Sequence, residues 1–261
     1  MPKKTNKAYY KILTLEKGLQ VLEVLAENKS LSVTQMAKLL GQNRSASHRF
    51  LATLEELGYV LKDSQSRYRL SLKLFEIGNK IDDVDEIRSI VRPYMRELSN
   101  LHGETVNLGR IEGNDIITID VVLGTEVIKY DSHIGERSPA HTLAMGKAIL
   151  AFRSEQEQED YTASASFIPR TEKTITSKEV FTRELSRIRL QGYAMDDEEW
   201  TLGLKCISLP ILNNTFPSYA ISVSGPTQRM IPQKIKDIRS DMTRICNTLA
   251  NQLENKILKK T

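Results

Sequence analysis

The chain of 261 residues is 40% hydrophobic and 27% charged, enough apolar content for one large domain or two ordinary ones, which excludes wholesale disorder. Its net charge of +4 is uneven: residues 1–80 hold 14 Lys/Arg against 7 Asp/Glu and the remainder 23 against 26, so a +7 end suited to a polyanion adjoins a −3 end. The two cysteines, Cys206 and Cys246, suggest neither a disulfide framework nor a zinc ribbon, and no apolar run reaches the ~18 residues of a membrane span, so a cytoplasmic protein is expected.

Leu15, Leu19, Leu22 and Leu25, joined by Val21 and Val24, predict a helix over 14–27. In Ser32-Val33-Thr34-Gln35, Ser32 accepts from the first turn while Gln35 reaches back, and Met36, Ala37 and Leu40 carry a short helix to Gly41. After the Gly41-Gln42-Asn43 turn, Ala46, Phe50, Leu54 and Leu57 mark a second helix that Gly58 stops, with Arg44, Ser45, His48 and Arg49 on its other side. A short helix, a tight turn and a donor-faced second helix make a reading head for the major groove. Tyr59 and Leu61, a polar turn at 63–66, and Tyr68 and Leu70, interleaved with Lys62, Arg67 and Arg69, predict a hairpin wing for phosphates or the minor groove.

The candidate DNA contacts are Ser32, Thr34, Gln35, Gln42, Asn43, Arg44, Ser45, Ser47, His48 and Arg49, with Lys62 and Arg67 on the wing. Lys3, Lys4 and Lys7 add a basic arm. A bland alternative is an amphipathic helix pair with surface arginines; the wing and the local charge favour double-stranded DNA.

Leu72, Leu74, Phe75 and Ile77 predict a linker helix, and Asp82-Asp83-Val84-Asp85 breaks it, so the expected domains are 1–71, a linker over 72–83, and 84–261. A helix over 86–101 presents Ile87, Ile90, Val91, Tyr94, Met95 and Leu98 on one face. Runs at 105–111, 115–123 and 126–132, split by turns, read as an antiparallel meander. Helices follow at 142–152 and at 177–190, the latter opened by a Thr176…Glu179 capping box and closed by Gly192. Strands return at 205–212 and 219–224, and a last helix carries Ile235, Ile238, Met242, Ile245, Leu249, Leu253 and Ile257. Strands flanked by helices indicate an α+β domain.

Four stretches in order resemble the IclR family of bacterial transcriptional regulators: Glu16-Lys17-Gly18-Leu19, residues 49–58, residues 138–151 around Gly146-Lys147-Ala148, and a C-terminal pattern. That pattern runs from Gly192 through Asp196-Asp197-Glu198-Glu199, Gly203, Cys206-Ile207 and Pro210-Ile211 to Ser222-Val223-Ser224-Gly225-Pro226. The resemblance spans nearly the whole chain. It implies a winged helix-turn-helix, a linker helix and a GAF-like effector-binding domain with an antiparallel sheet and flanking helices. It further implies a homodimer, often paired into tetramers on DNA, and a small-molecule effector such as a carboxylic or aromatic acid, with no cofactor.

Carried over by position, the effector pocket comprises Val127, Ala144, Met145, Asp196, Leu204, Cys206, Ser222 and Ser224. Met145 departs from the smaller residue often found there. The first-turn N–H groups at Ala144 and Met145 suit an anion, the serines donate or accept, and Asp196 can orient a ligand hydroxyl. Other readings stay open: Asp196 to Glu199 as a solvated acidic turn, Cys206 as plain core, and the serine face as a solvent face. Rival functions are a metal- or thiol-sensing regulator using Cys206 with His133, an enzyme using His133 or His141 with Cys206 and the acidic cluster, and a structural nucleic-acid-binding protein. No nucleophile elbow, zinc-protease helix or phosphate loop appears, so no enzymatic activity is expected.

Overall fold

A computed structural model describes residues 11–81, 84–212 and 217–257, with side chains through 253. The arm at Lys3, Lys4 and Lys7, the Asp82-Asp83 break and the Ile257 side chain lie outside the described residues. The chain divides into two units, Met1–Asp83 and Val84–Thr261.

In the first unit, α1 (Leu13–Glu27) buries Val21 and Leu25, and β1 (Leu31–Ser32) leads into α2 (Val33–Leu39) and α3 (Arg44–Glu56). The wing is β2 (Val60–Lys62) and β3 (Arg67–Leu70), and the sheet order is β1-β3-β2, all antiparallel. Met36, Leu51, Val60 and Tyr68 join α1 in one small core. Among the described residues of the expected linker, α4 (Lys73–Gly78) is the helical part.

The second unit opens with α5 (Val84–His102), then β4 (Thr105–Glu112), β5 (Asp115–Val122) and β6 (Arg137–Pro139). After them come α6 (Ala144–Ala151), α7 (Glu155–Ser164), α8 (Lys178–Gln191), β7 (Ala194–Asp197), β8 (Leu204–Pro210), β9 (Tyr219–Pro226) and α9 (Pro232–Ile257). The six strands form one antiparallel sheet in the order β6-β5-β4-β9-β8-β7. Period-two alternation gives it two inner faces. Val106, Leu108, Ile207, Ile221 and Val223 pack on α5 and α9, while Cys206 and Ala220 join the core of α6 and α8.

Three local expectations are corrected. The run at 126–132 is not a strand: Val127 and Ile128 are exposed, the Ile128 and Tyr130 carbonyls accept from the side chains of Arg229 and Thr105, and β6 occupies the edge of β5 instead. The cap of α8 is Ser177, which accepts from the Val180 N–H, and not Thr176. The expected helix over 142–152 starts later, because a 3-10 turn at Ala140–Thr142 comes first. Gly146 makes that junction possible, since a Cβ there would lie 2.0 Å from the Ala140 carbonyl oxygen.

Candidate functional site

The first unit presents an exposed donor face. Asn43 caps α3 by accepting from the Ala46 N–H at 2.7 Å, which aims the first turn outward with Arg44, Ser45, His48 and Arg49 all exposed. Thr34, Gln35 and Lys62 are exposed as well. Ser32 and Gln35 are engaged with each other in the expected capping box, Gln35 Oε1 accepting from the Ser32 N–H at 2.9 Å.

Other candidates point inward. Ser47 is fully buried, with its hydroxyl unpartnered among the described residues. Both polar atoms of the Gln42 side chain are likewise buried. Arg67 is a brace: its guanidinium donates to the Ser30 hydroxyl at 2.9 Å and to the Ser30 carbonyl at 2.5 Å, fastening the wing to the start of the reading head. Arg69, left out of the candidate set, is exposed and follows buried Tyr68 by one residue, so alternation alone placed it on the outer face.

In the second unit, neighbouring strands build a polar row across the floor of a cavity. Asn107 on β4 stands opposite Ser222 on β9, Cys206 on β8 opposite Ser224, and Asp196 on β7 opposite Cys206. Asn107 Nδ2 donates to the hydroxyls of Ser222 and Ser224 at 3.4 and 3.2 Å. The start of α6 forms the roof with Ala144 and Met145, and its N-cap residue Leu143 offers no side-chain acceptor, so the first-turn N–H groups lack the usual cap. Tyr130, Ser132 and Trp200 close the sides around a volume of about 30 Å³. That is room for a water molecule or two, far below the roughly 300–1,000 Å³ of a ligand pocket, so an organic acid enters only if the walls move apart.

Ala144, Met145, Asp196, Leu204, Cys206, Ser222 and Ser224 line this cavity. Val127 does not: it is 96% exposed on the irregular segment after β5. Asn107, Thr118, Tyr130, Ser132 and Trp200 also line it and were not foreseen. Asn107 carries a legible signal, a polar residue alternating with Val106 and Leu108, whereas Tyr130 and Trp200 sit on irregular backbone without periodicity.

The charges are unusual for so buried a place. Lys147 in α6 is fully buried and ion-paired with Glu199. Asp196 Oδ1 accepts from the N–H groups of Glu199 at 2.7 Å and Trp200 at 3.3 Å, while Oδ2 is buried without an oxygen or nitrogen partner among the described residues. Burial pushes the Asp196 carboxyl up to about 7 despite the pull of Lys147, and the Glu199 carboxylate reinforces the rise. Burial likewise raises Tyr130 to about 12 and the Cys206 thiol well above its usual range. A raised, enclosed thiol is the reverse of what thiol sensing needs. Among the described residues no group of three or more His, Cys, Asp or Glu side chains is placed to hold a metal, and no helix is long and apolar enough to cross a membrane.

Behind the segment that carries Tyr130 lies a second charged cluster. Glu104, fully buried, accepts from Arg229 at 2.7 and 2.6 Å and from Lys234 at 2.7 Å. Burial works to raise its pKa, yet the hydrogen bonds from Arg229 and Lys234 hold it below the ordinary carboxylate range. Arg229 also donates to the Ile128 carbonyl at 2.7 Å, and Thr105 Oγ1 to that of Tyr130 at 2.7 Å.

Comparison with known proteins matches both units. The profile described as the IclR helix-turn-helix domain covers residues 14–64, and that described as bacterial transcriptional regulator IclR C-terminal covers residues 80–251. The HTH-type transcriptional regulator KdgR of Escherichia coli K12 is 35% identical over 220 residues, 83% of each chain. The crystal structure of the Thermotoga maritima IclR superposes with a TM-score of 0.78 at 30% identity, covering 94% of this chain and all of that one. An IclR homolog from Microbacterium hydrocarbonoxydans, solved in complex with 4-hydroxybenzoate, shares the fold with a TM-score of 0.77 at 18% identity, covering 90% of this chain and 98% of that one.

Proposed function

The chain belongs to the IclR family of bacterial transcriptional regulators, with a helix-turn-helix DNA-binding domain and a C-terminal ligand-binding domain, and on that premise we propose that a small organic acid in the Asp196 cavity controls its operator affinity. The observation that carries this reading is the buried Asp196 carboxyl, whose Oδ2 has no oxygen or nitrogen partner among the described residues, beside Ser222, Ser224, Asn107, the Cys206 thiol and the uncapped start of α6. A carboxyl that keeps its proton to about pH 7 donates to a ligand carboxylate instead of repelling it, and the first-turn N–H groups of α6 supply further donors. The cavity must widen to admit such a ligand, so binding selects a conformation different from the narrow one, which is the requirement for control by population shift.

The reading head acts as a homodimer in the cytoplasm, with tetramers on DNA as the higher assembly. Leu13, Leu15 and Leu19 on α1 and Leu72 and Phe75 at α4 are each more than half exposed, apolar surface that a second copy would cover. Two linked heads also raise effective concentration and match half-sites one ~34 Å turn or its multiples apart. The α3 face with Arg44, Ser45, His48 and Arg49 contacts base edges, and Lys62 and Arg69 on the wing contact phosphates.

The test starts from selection of binding sites out of random-sequence DNA by the full-length protein, followed by operator titrations in the presence of pyruvate, benzoate and 4-hydroxybenzoate, the last being the acid seen in the Microbacterium hydrocarbonoxydans homolog. Enrichment of a two-fold symmetric site, and a change of about fivefold or more in its affinity with an acid of this panel, are expected. No enriched site would refute the DNA half of the reading, and an affinity indifferent to every acid would refute the effector half.

A further inference from the structure

Trp200 is the single tryptophan of the chain and forms a wall common to two spaces. One side lines the 30 Å³ inner cavity, and the other lines an outer groove of about 630 Å³ shared with Arg170, Ile168 and His141. The Arg170 guanidinium lies over the indole, 3.8 Å from the ring centroid. A water-sized chamber is thus separated from a metabolite-sized one by one half-buried side chain.

The backbone beneath the indole is firmly held. The Trp200 N–H donates to Asp196 Oδ1, Thr171 Oγ1 donates to the Glu198 carbonyl at 2.7 Å, and Thr174 Oγ1 to the Glu199 carbonyl at 2.6 Å. Glu198 adopts φ +65°, a left-handed conformation rare for a residue with a side chain, and these tethers fix it. The side chain can therefore swing on a fixed hinge. The other irregular wall is pinned differently: Ile128 and Tyr130 are held by their carbonyls, and the Thr118 N–H donates to the Glu136 carbonyl at 2.9 Å. Opening there breaks several backbone-anchoring hydrogen bonds, whereas opening at Trp200 breaks its side-chain hydrogen bond to Tyr130, some packing against the α6 and α8 core, and a cation–π contact worth a factor of about two to five at an exposed site.

We propose that Trp200 is the gate of the inner cavity and that Arg170 is both its latch and the cation that draws a carboxylate to it. The inference rests on the reading of the inner cavity as the effector site for what passes through. Swinging the indole aside joins the polar floor at Asp196 to the outer groove. Arg170, which forms no ion pair among the described residues, is then the first fixed positive charge an incoming acid meets.

Cys206 on the cavity floor reports the opening without any knowledge of the natural ligand. Its alkylation by iodoacetamide in the full-length protein is followed by peptide-resolved mass spectrometry, with Cys246, buried in the core of α5 and α9, as the measure of global unfolding. Arg170→Ala is expected to label at Cys206 about threefold faster and Trp200→Ala about tenfold faster, with Cys246 unchanged, because reaction at a buried thiol tracks the local opening population. Thr105→Val, which frees the Tyr130 carbonyl and the Gly124 N–H at constant side-chain shape, leaves the Cys206 rate relative to Cys246 unchanged. With anionic iodoacetate in place of iodoacetamide, Arg170→Ala lowers the ratio of the two rates. The gate is refuted if Thr105→Val accelerates Cys206 and Arg170→Ala does not, or if Arg170→Ala changes neither the rate nor the ratio. Should Trp200→Ala raise both cysteines together, the surface variant Arg170→Ala decides alone. A wrong effector reading would appear differently, as this labelling pattern intact beside an operator affinity that no acid alters.

Discussion

Lys147 and Glu199 form a buried ion pair that ties α6, the roof of the cavity, to the loop after β7 at its side. Breaking a buried pair from one end strands the other charge, which is far costlier than losing a surface pair. Asp196 is the adjacent carboxyl able to take over the lysine, and burial holds it protonated to about pH 7. Glu199→Gln is therefore expected to cost about 3 kcal/mol in urea unfolding at pH 6, and distinctly less at pH 8, where Asp196 is ionised and neutralises Lys147. An equal cost at both pH values would show that the two carboxyls do not share the lysine.

Asp196 also sets a pH dependence of its own. In the unfolded chain it releases its proton near 3.8, in the fold near 7, so between these values the native state binds the extra proton and stability falls as pH rises. Above the folded value the contribution is flat. Asp196→Asn keeps an acceptor for the N–H groups of Glu199 and Trp200 but cannot ionise. Thermal melts of the two proteins from pH 4 to pH 8 should show the variant gaining on the wild type up to about pH 7 and holding that gain, several degrees, to pH 8. Parallel melting curves would mean that Asp196 ionises freely in the fold.

What the sequence disclosed follows from which physical rules are local. The capping box of Ser32 and Gln35 and the apolar stripe of α9 need only neighbours three and four residues away, and they were readable. Ser154 and Glu157 form the same box, but α7 buries only Tyr161 and so lacks the periodicity that flags a helix. The segment at 126–132 had strand composition, yet its exposed Val127 and Ile128 and its side-chain-held carbonyls depend on Arg229 and Thr105, partners far away in the chain. At the site, Ser222, Ser224 and Cys206 could be set on strands by alternation and came to the family pattern by position. Trp200 and Tyr130 are brought to the cavity by irregular backbone, for which no spacing rule exists.

The reading head separates contact from brace. Arg44→Ala and Arg49→Ala remove exposed guanidinium groups and should each lower operator affinity, by about 1–3 kcal/mol where the contact is to a base edge, or with a salt slope smaller by about one where it is to phosphate. Ser47→Ala deletes a buried, unpartnered hydroxyl and should leave affinity and slope unchanged while holding or raising the melting temperature. Arg67→Ala should lower the melting temperature, since it frees Ser30 from the wing. Fluorescence anisotropy across a salt series measures the first two effects. Unaltered binding in both arginine variants would remove α3 from the groove.

On the proposed effector reading, ligand size should depend on Met145, whose side chain folds against Gly109 of β4. A Cβ at Gly109 would lie 2.7 Å from the Met145 sulfur and 2.8 Å from an Ile116 methyl, so the absent side chain of β4 is the space into which the Met145 side chain folds. Met145→Ala removes that thioether from the roof, at a stability cost near the lower end of the about 2–5 kcal/mol range for such truncations, because the polar floor admits water to the enlarged space. Gly109→Ala acts in the opposite sense, driving Met145 back into the cavity at a cost of about 1–3 kcal/mol from overpacking. A graded series from pyruvate to 4-hydroxybenzoate and larger aromatic acids, read by its effect on operator affinity, should then shift its upper size limit in opposite directions in the two variants. An identical limit in wild type and both variants would mean that the Met145 side chain does not bound the ligand, and that its size is decided elsewhere along the polar row from Asn107 to Asp196.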